Sequence, residues 1–202
     1  MSKFKYYIAY KPFNCVTQFT PAFQSDKSTL KDFFNVEKDV YPIGRLDADS
    51  EGLLLLSNDK ALNFKFLNPE NEHARTYWAQ VEGQIDQKAI SALEKGPVIR
   101  INKKDYKCKA SKARIIETPQ VPERNPPVRF RKNIPTSWIE ITLTEGKNRQ
   151  VRKMCAAVGF PCLRLIRVSM ENLKLPKMEP GKIWPLEHSN LYQKLGVEHG
   201  RL

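Results

Sequence analysis

Residues 44–59 read GRLDADSEGLLLLSND, a stretch whose residue types could do chemistry in two ways. Asp47, Asp49 and Glu51 alternate along the chain beside Arg45, directly before the four leucines at 53–56. One chemistry is cation binding. Asp47, Asp49, Glu51 and Gly52 fall on positions one, three, five and six of a calcium loop. Position twelve, which needs a bidentate glutamate, is Asn58, and positions seven to ten are all leucine. A loop wrapped round a cation cannot also be a buried strand, so the metal reading fails. The other chemistry is a single reactive carboxylate held at the edge of that strand. In an extended RLD segment Arg45 and Asp47 project to one side while Leu46 points into the core. Cations beside Asp47 would keep it ionised. A plain turn, in which Asp47 or Asp49 caps backbone amides, explains the same residues, and composition alone favours it.

A second group of chemical side chains lies at 147–153, where Lys147, Arg149, Arg152 and Lys153 crowd together. Val151, Met154, Cys155 and Val158 recur at i, i+3, i+4 and i+7, the apolar stripe of a helix. Cations in the first turns of a helix oppose its dipole, at ~0.3–1 kcal/mol each. The arrangement makes sense where an anion sits, either an RNA phosphate or the Asp47 carboxylate.

The elements that must position these groups are legible in outline. FKYYIAYK (4–11) predicts a strand ended by Pro12, and SDKSTLKDFF (25–34) a short helix opened by Asp26 or Ser28. Residues 39–44 predict a strand or turn, and 53–56 a strand buried on both faces. A helix is expected over 59–67, ended by Asn68-Pro69, then a strand over 76–83. Residues 86–96 predict a helix with Asp86 at its start and Gly96 after its end. Residues 137–146 alternate as a strand with Ile139, Ile141 and Leu143 on one face, 148–160 form the helix above, stopped by Gly159, and 162–170 form another strand. Strands and helices mix without a βαβ rhythm, which predicts an α+β fold. Residues 118–137 carry five prolines and no periodicity. Long loops of this kind inside compact domains are often functional.

With 202 residues the chain can bury a real core, as one large domain or two small ones sharing a cleft. Its net charge is +12, and the excess is clustered at 100–114, 124–132 and 147–153. That clustering points to a polyanion, nucleic acid first, although solvated faces account for the first cluster equally well. Cys15, Cys108, Cys155 and Cys162 form no CxxC pair and lie far from His73, His188 and His199, so zinc spacing is absent. No signal peptide or membrane span is visible, and a reducing cytoplasm is the expected compartment.

Together GRLDADSEGLLLLSND, the Lys11-Pro12 pair after the first strand, RTYWAQVEG and EGKNRQVRKMCAAVGFPCLRLIRV resemble the pseudouridine synthases of the RsuA type. These motifs occur in the family's order and cover most of the chain. RNPPVRFRKNIPTSW resembles the E branch, which acts on large-subunit (23S) ribosomal RNA. The resemblance implies a bent, mostly antiparallel mixed sheet in two subdomains flanked by helices, with a central basic active-site cleft. Relatives often begin with an S4-type RNA-binding domain, which is not expected here because the first strand starts near residue 4. The implied reaction isomerises uridine to pseudouridine in ribosomal RNA with no cofactor and no metal. Asp47 falls on the nucleophile, Tyr77 on the tyrosine that stacks on uracil and lies where a proton moves, and Arg152 on the arginine that pairs with Asp47. Arg45 is expected to help extrude the nucleotide, and Leu165 to pack beneath the base or serve as a plain core leucine. Lys11, Lys147, Asn148, Arg149 and Lys153, with Arg129, Arg131 and Lys132 of the proline-rich loop, are expected RNA contacts. Asp49, Ser50 and Glu51 are assigned to shaping the turn. The chain is expected to act as a monomer on ribosomal RNA, away from membranes. Two rivals remain: a silent RNA-binding or ribosome-assembly protein, which would leave Asp47 without a purpose, and a glycoside or nucleoside hydrolase, which lacks a second placed carboxylate.

Overall fold

Four leucines in a row need apolar neighbours on both sides of a strand, and the fold supplies them. The computed structural model describes residues 4–20, 26–129 and 131–197. In chain order the elements begin with β1 (Tyr6–Lys11), β2 (Cys15–Val16), β3 (Ser28–Thr29), β4 (Tyr41–Pro42), β5 (Glu51–Ser57) and α1 (Lys60–Leu67). There follow β6 (Arg75–Glu82), α2 (Gln87–Glu94), β7 (Val98–Ile101), β8 (Lys104–Lys107), β9 (Lys112–Ile116) and β10 (Thr136–Leu143). The last elements are α3 (Gln150–Ala157), β11 (Cys162–Met170), β12 (Leu173–Lys174), β13 (Ile183–Pro185) and α4 (His188–Lys194). The class is α+β, with mostly antiparallel strand pairs.

The chain divides into two compact units: Met1–His73 with Arg167–Leu202, and Ala74–Ile166. In the first, β1 lies between β13 and β5, antiparallel to both. Leu53 and Leu55 enter one hydrophobic cluster with Ile8, Phe66 and Leu195, while Leu54 and Leu56 enter another with Ala9, Leu30 and Phe34. All four leucines are fully buried. At ~1.5–3 kcal/mol each, they make β5 the strongest apolar contributor to this unit and a firm support for the turn before it. In the second unit β10 pairs antiparallel with β6 and with β9, its inward residues Ile139, Ile141 and Leu143 packing with Ala79, Val81, Val151 and Met154. α3 lies against β7 and α2 against β9.

Two boundaries differ from expectation. The helix predicted over 25–34 is a single 3-10 turn, Leu30–Asp32, preceded by the parallel β2–β3 pair. Asp32 takes the Thr29 amide at 2.7 Å, a capping box that opens this turn at Thr29 and not at Asp26 or Ser28; Ser25 lies outside the described residues. The helix predicted from 148 begins at Gln150 instead. Arg149 sits before it in the left-handed region at φ 53°, so Lys147, Asn148 and Arg149 belong to the lead-in. The hairpin β7–β8, strand β9 and the elements after Met170 carry weak periodicity and were not foreseen.

The C-terminal helix is tied down by one carboxylate. Asp59 caps α1 through Ala61 N and Leu62 N and also accepts the hydroxyls of Tyr6 (2.7 Å) and Tyr192. Burial alone would push its pKa up, but the hydrogen bonds from Tyr192, Tyr6 and the two amides outweigh it and hold Asp59 below its usual 3.8. Both tyrosine hydroxyls are correspondingly pushed up, burial first and the Asp59 contact second. The folded value of Asp59 is depressed, so its contribution is present in full above pH 3.8 and disappears as pH falls through the lower folded value. Asp59→Asn should lose ~1–3 kcal/mol at neutral pH and flatten the acid limb of the stability curve. Urea melts from pH 2 to pH 7 would check both.

Candidate active site

The turn carrying Asp47 is built from its neighbours. Gly44 opens the segment at φ +74°, where a β-carbon would lie 3.0 Å from Leu67. Leu46 is buried, and Thr17 clamps both of its backbone groups: Leu46 N donates to Thr17 Oγ1 at 3.1 Å, and Thr17 Oγ1 donates to Leu46 O at 2.7 Å. Ser50 N closes a turn on Asp47 O at 3.0 Å, and Ser50 and Glu51 are buried at the start of β5. Arg45 is exposed and Asp47 half-buried. The alternation expected of the RLD segment is present.

Lys11 corrects an expectation. Predicted to touch RNA, it is fully buried, and its ammonium donates to Pro12 O (2.9 Å), Cys15 O (2.6 Å) and Ala48 O (3.3 Å). Three carbonyls occupy its three donors, leaving no room for a phosphate. Burial lowers its pKa to about 8, while Cys15, Glu51, Asp49 and Asp47 pull the other way. The acids crowded before the leucines thus accompany a buried cation. Lys11 and Thr17 together fix the backbone on either side of Asp47 and leave its carboxylate out of the scaffold.

In the second unit, Tyr77 stands on β6 opposite Ile141 and packs against the cluster that holds Leu165, Val151 and Met154. Leu165 is buried within that cluster, as a core leucine would be. Arg152, on the first turns of α3, donates from Nη1 to Cys162 O at 3.0 Å, which fixes its guanidinium against the start of β11. Lys147, Asn148 and Arg149 are exposed, and Lys153 Nζ reaches Asn148 Oδ1 at 3.5 Å. A network not foreseen in the sequence holds this lead-in. Glu145 accepts from Tyr106 OH, Lys109 N and Gln150 Nε2, and Gln150 Oε1 accepts from Lys147 N. Burial would raise Glu145, but these bonds hold it below its usual value, and its contact raises Tyr106 to about 12. The Glu145-Gly146 pair before the basic run is the only sequence signal that hints at this.

The described residues of the proline-rich segment form no helix or strand over 117–129 and 131–135, and β10 takes Thr136 and Ser137 from the end of the expected loop. Arg124 donates to Pro126 O and Pro127 O at 2.8 and 2.9 Å, so it braces the loop. Arg164 Nη2 holds Pro122 O at 2.8 Å. Arg131 pairs with Glu82 at 3.2 Å, while Arg129 and Lys132 are exposed. Phe130, a candidate for base stacking, lies outside the described residues. No metal-holding group of three or more His, Cys, Asp or Glu occurs among the described residues, and no helix there is long and apolar enough to cross a membrane.

Residues 5–157, which carry Asp47, Tyr77 and Arg152, match the family described as RNA pseudouridylate synthase. The chain belongs to that family. A ribosomal large subunit pseudouridine synthase E of Vibrio parahaemolyticus is 46% identical over 85% of this chain and 69% of its own. The enzyme of the same name from Xanthomonas axonopodis is 42% identical over 84% of this chain and 87% of its own. A crystal structure of a pseudouridylate synthase superposes with a TM-score of 0.76 at 24% identity, over 96% of this chain and 75% of that one. The fold is therefore that of the pseudouridylate synthases. Membership makes this chain an RNA-modifying enzyme, which answers the silent-binder and hydrolase alternatives.

Proposed function

We propose that the protein isomerises a uridine of large-subunit ribosomal RNA to pseudouridine, with Asp47 as the essential carboxylate. The observation that carries this reading is the family match over residues 5–157, joined to a turn anchored by Thr17, Lys11 and Ser50 N through backbone groups and not through the Asp47 carboxylate. The names of these relatives, both of the ribosomal large subunit, support the RNA class. In the reaction the N1–C1′ bond breaks, the uracil turns, a C5–C1′ bond forms, and the C5 proton leaves while N1 takes one up. The balance involves no oxidation and no net hydrolysis. Asp47 serves as nucleophile at C1′ or as stabiliser of the oxocarbenium-like centre. Tyr77 offers its ring face to the uracil and its hydroxyl to the moving proton. Arg152 supplies positive charge, and Arg45 takes part in turning the nucleotide out of its stack. Leu165, in the core cluster against which Tyr77 packs, supports the apolar side of the base site. Lys147, Asn148, Arg149 and Lys153 meet phosphates. The substrate places the enzyme in the cytoplasm, where we read it as a monomer; light scattering should return the mass of one chain.

The isomerisation displaces the hydrogen at C5, which gives a direct assay. Large-subunit rRNA transcribed with tritium at C5 of uridine should release label to water when incubated with the purified protein. Absence of release from an intact transcript would contradict the reading.

The proline-rich loop contributes through Arg129 and Lys132. Each contact to single-stranded RNA adds ~0.7 to the slope of log affinity against log salt. Changing both residues to serine should therefore flatten that slope by ~1.4. Arg131, held by Glu82, should act differently: its loss removes a half-exposed ion pair worth ~0.2–1 kcal/mol. Filter binding across a KCl series, with melting curves beside it, separates the two effects.

A further inference from the structure

The basic cluster at 100–114 has no part in the reaction as described, and the structure gives it a form. β7 and β8 are an antiparallel hairpin that pairs Val98 with Lys107, Ile99 with Tyr106, Arg100 with Asp105 and Ile101 with Lys104. Ile99 is buried in the core cluster, and Ile101 and Tyr106 pack against it, so the hairpin is fastened by one face. Lys103, Lys104 and Lys107 are exposed, as is Lys112 beyond them, and none of the four occurs among the described ion pairs. Arg114 does not share this freedom, since Glu140 holds it at 2.8 Å.

The hairpin tip carries a cost that folding does not explain. Asn102 and Lys103 form a two-residue turn with φ of 49° and 64°. Such turns favour Asn-Gly, because a β-carbon in the second position is strained. Here a lysine stands where glycine would fold better. The segment after the hairpin is also fixed in advance: Cys108 N bonds Pro97 O, and Ser111 N and Oγ bond Glu94 O and Leu93 O. A cationic surface already ordered before binding loses little entropy when it meets a partner. It is continuous with the lead-in to α3, because Lys147 Nζ lies 5.1 Å over the Tyr106 ring.

We propose that the β7–β8 hairpin, with Lys103 and Lys104 at its tip and Lys107 at its open end, is a docking surface for the phosphate backbone of double-stranded RNA. The stem is one belonging to the same ribosomal RNA whose uridine is modified, and that clause rests on the proposed function. A duplex fits better than a single strand. Single-strand surfaces interleave cations with exposed aromatic rings, and residues 98–112 hold one aromatic, Tyr106, whose hydroxyl is on Glu145 and whose ring lies under Lys147. Double-stranded RNA is read by shape and backbone, for which lysines on a rigid projection suffice.

The test uses the full chain and a 20-base-pair RNA duplex of arbitrary sequence as probe, by fluorescence anisotropy over a KCl series. In the triple variant Lys103→Gly, Lys104→Ser, Lys107→Ser, duplex affinity should fall about 10–100-fold, and the log–log salt slope should flatten by about 2–3. A control, Lys38→Ser, Lys60→Ser, Lys177→Ser, removes the same charge from exposed positions elsewhere and should retain most of the slope. Lys103→Gly alone should weaken binding while its Tm stays level or rises, a pairing that loss of structure cannot produce. An unchanged slope in the triple variant, or equal loss in the control, would overturn the proposal and leave the hairpin a solvated face. So would duplex binding that falls in Lys103→Gly only in step with a lower Tm. Failure of the functional reading would look different: the wild-type chain would release no tritium from rRNA whatever the hairpin variants did to duplex binding.

Discussion

Asp47→Asn should bring pseudouridine formation down by roughly 10⁴-fold or more, the scale on which removal of an essential group is felt. Its fold should survive. The turn is held by Thr17 on Leu46, by Lys11 on Ala48 and by Ser50 N on the Asp47 carbonyl, and none of these bonds involves the Asp47 carboxylate. Stability should therefore change by less than about 1 kcal/mol, as for substitutions away from packed or paired groups. RNA affinity should hold or rise slightly, because a negative charge has left a phosphate-binding surface. Asp49→Asn should be much milder in turnover, since Asp49 is assigned to shaping the turn and not to the chemistry. Single-turnover assays on both variants decide the matter. Equal loss at both positions would mean that the acids act together as a scaffold, and Asp47 would cease to be the nucleophile.

Tyr77→Phe should cost ~10²–10⁴-fold in turnover, the usual span for a general acid–base group, with little change in RNA affinity. The substitution keeps the ring that packs against the Leu165, Val151 and Met154 cluster and removes only the hydroxyl. Tyr77→Ala removes both, and should lower Tm as well because a half-buried aromatic leaves the edge of a core. Comparing kcat at saturating RNA with Tm in the two variants separates proton movement from packing. Full kcat in Tyr77→Phe with loss in Tyr77→Ala would reduce Tyr77 to a stacking ring.

What could be read from the chain, and what could not, follows from how local each cause is. The buried strand was legible because four leucines in succession satisfy two cores at once, and the alternation in 137–143 was legible because one face is buried. α3 was visible from its apolar stripe, yet its start was misplaced by two residues. The Gln150 side chain bonds the Lys147 amide, and Arg149 takes a left-handed conformation; no periodicity reports such a bond. Lys11 misled for a related reason. A lysine after a strand reads as surface charge, whereas here three backbone carbonyls and three acids make its burial tolerable. Thr17 and Glu145 were invisible because their roles are contacts across 29 and 39 residues. Arg124 and Arg131 looked alike in a basic loop; only the fold shows that one braces it and the other meets Glu82.

The central claim is that this chain makes pseudouridine in large-subunit ribosomal RNA through Asp47. Its most direct test is nucleotide-resolution mapping of pseudouridine in that RNA from cells lacking the gene, complemented with wild-type protein or with Asp47→Asn. The account predicts a uridine left unmodified without the gene, restored by the wild type and not by Asp47→Asn. A pseudouridine profile identical in all three strains, or restoration by Asp47→Asn, would contradict it.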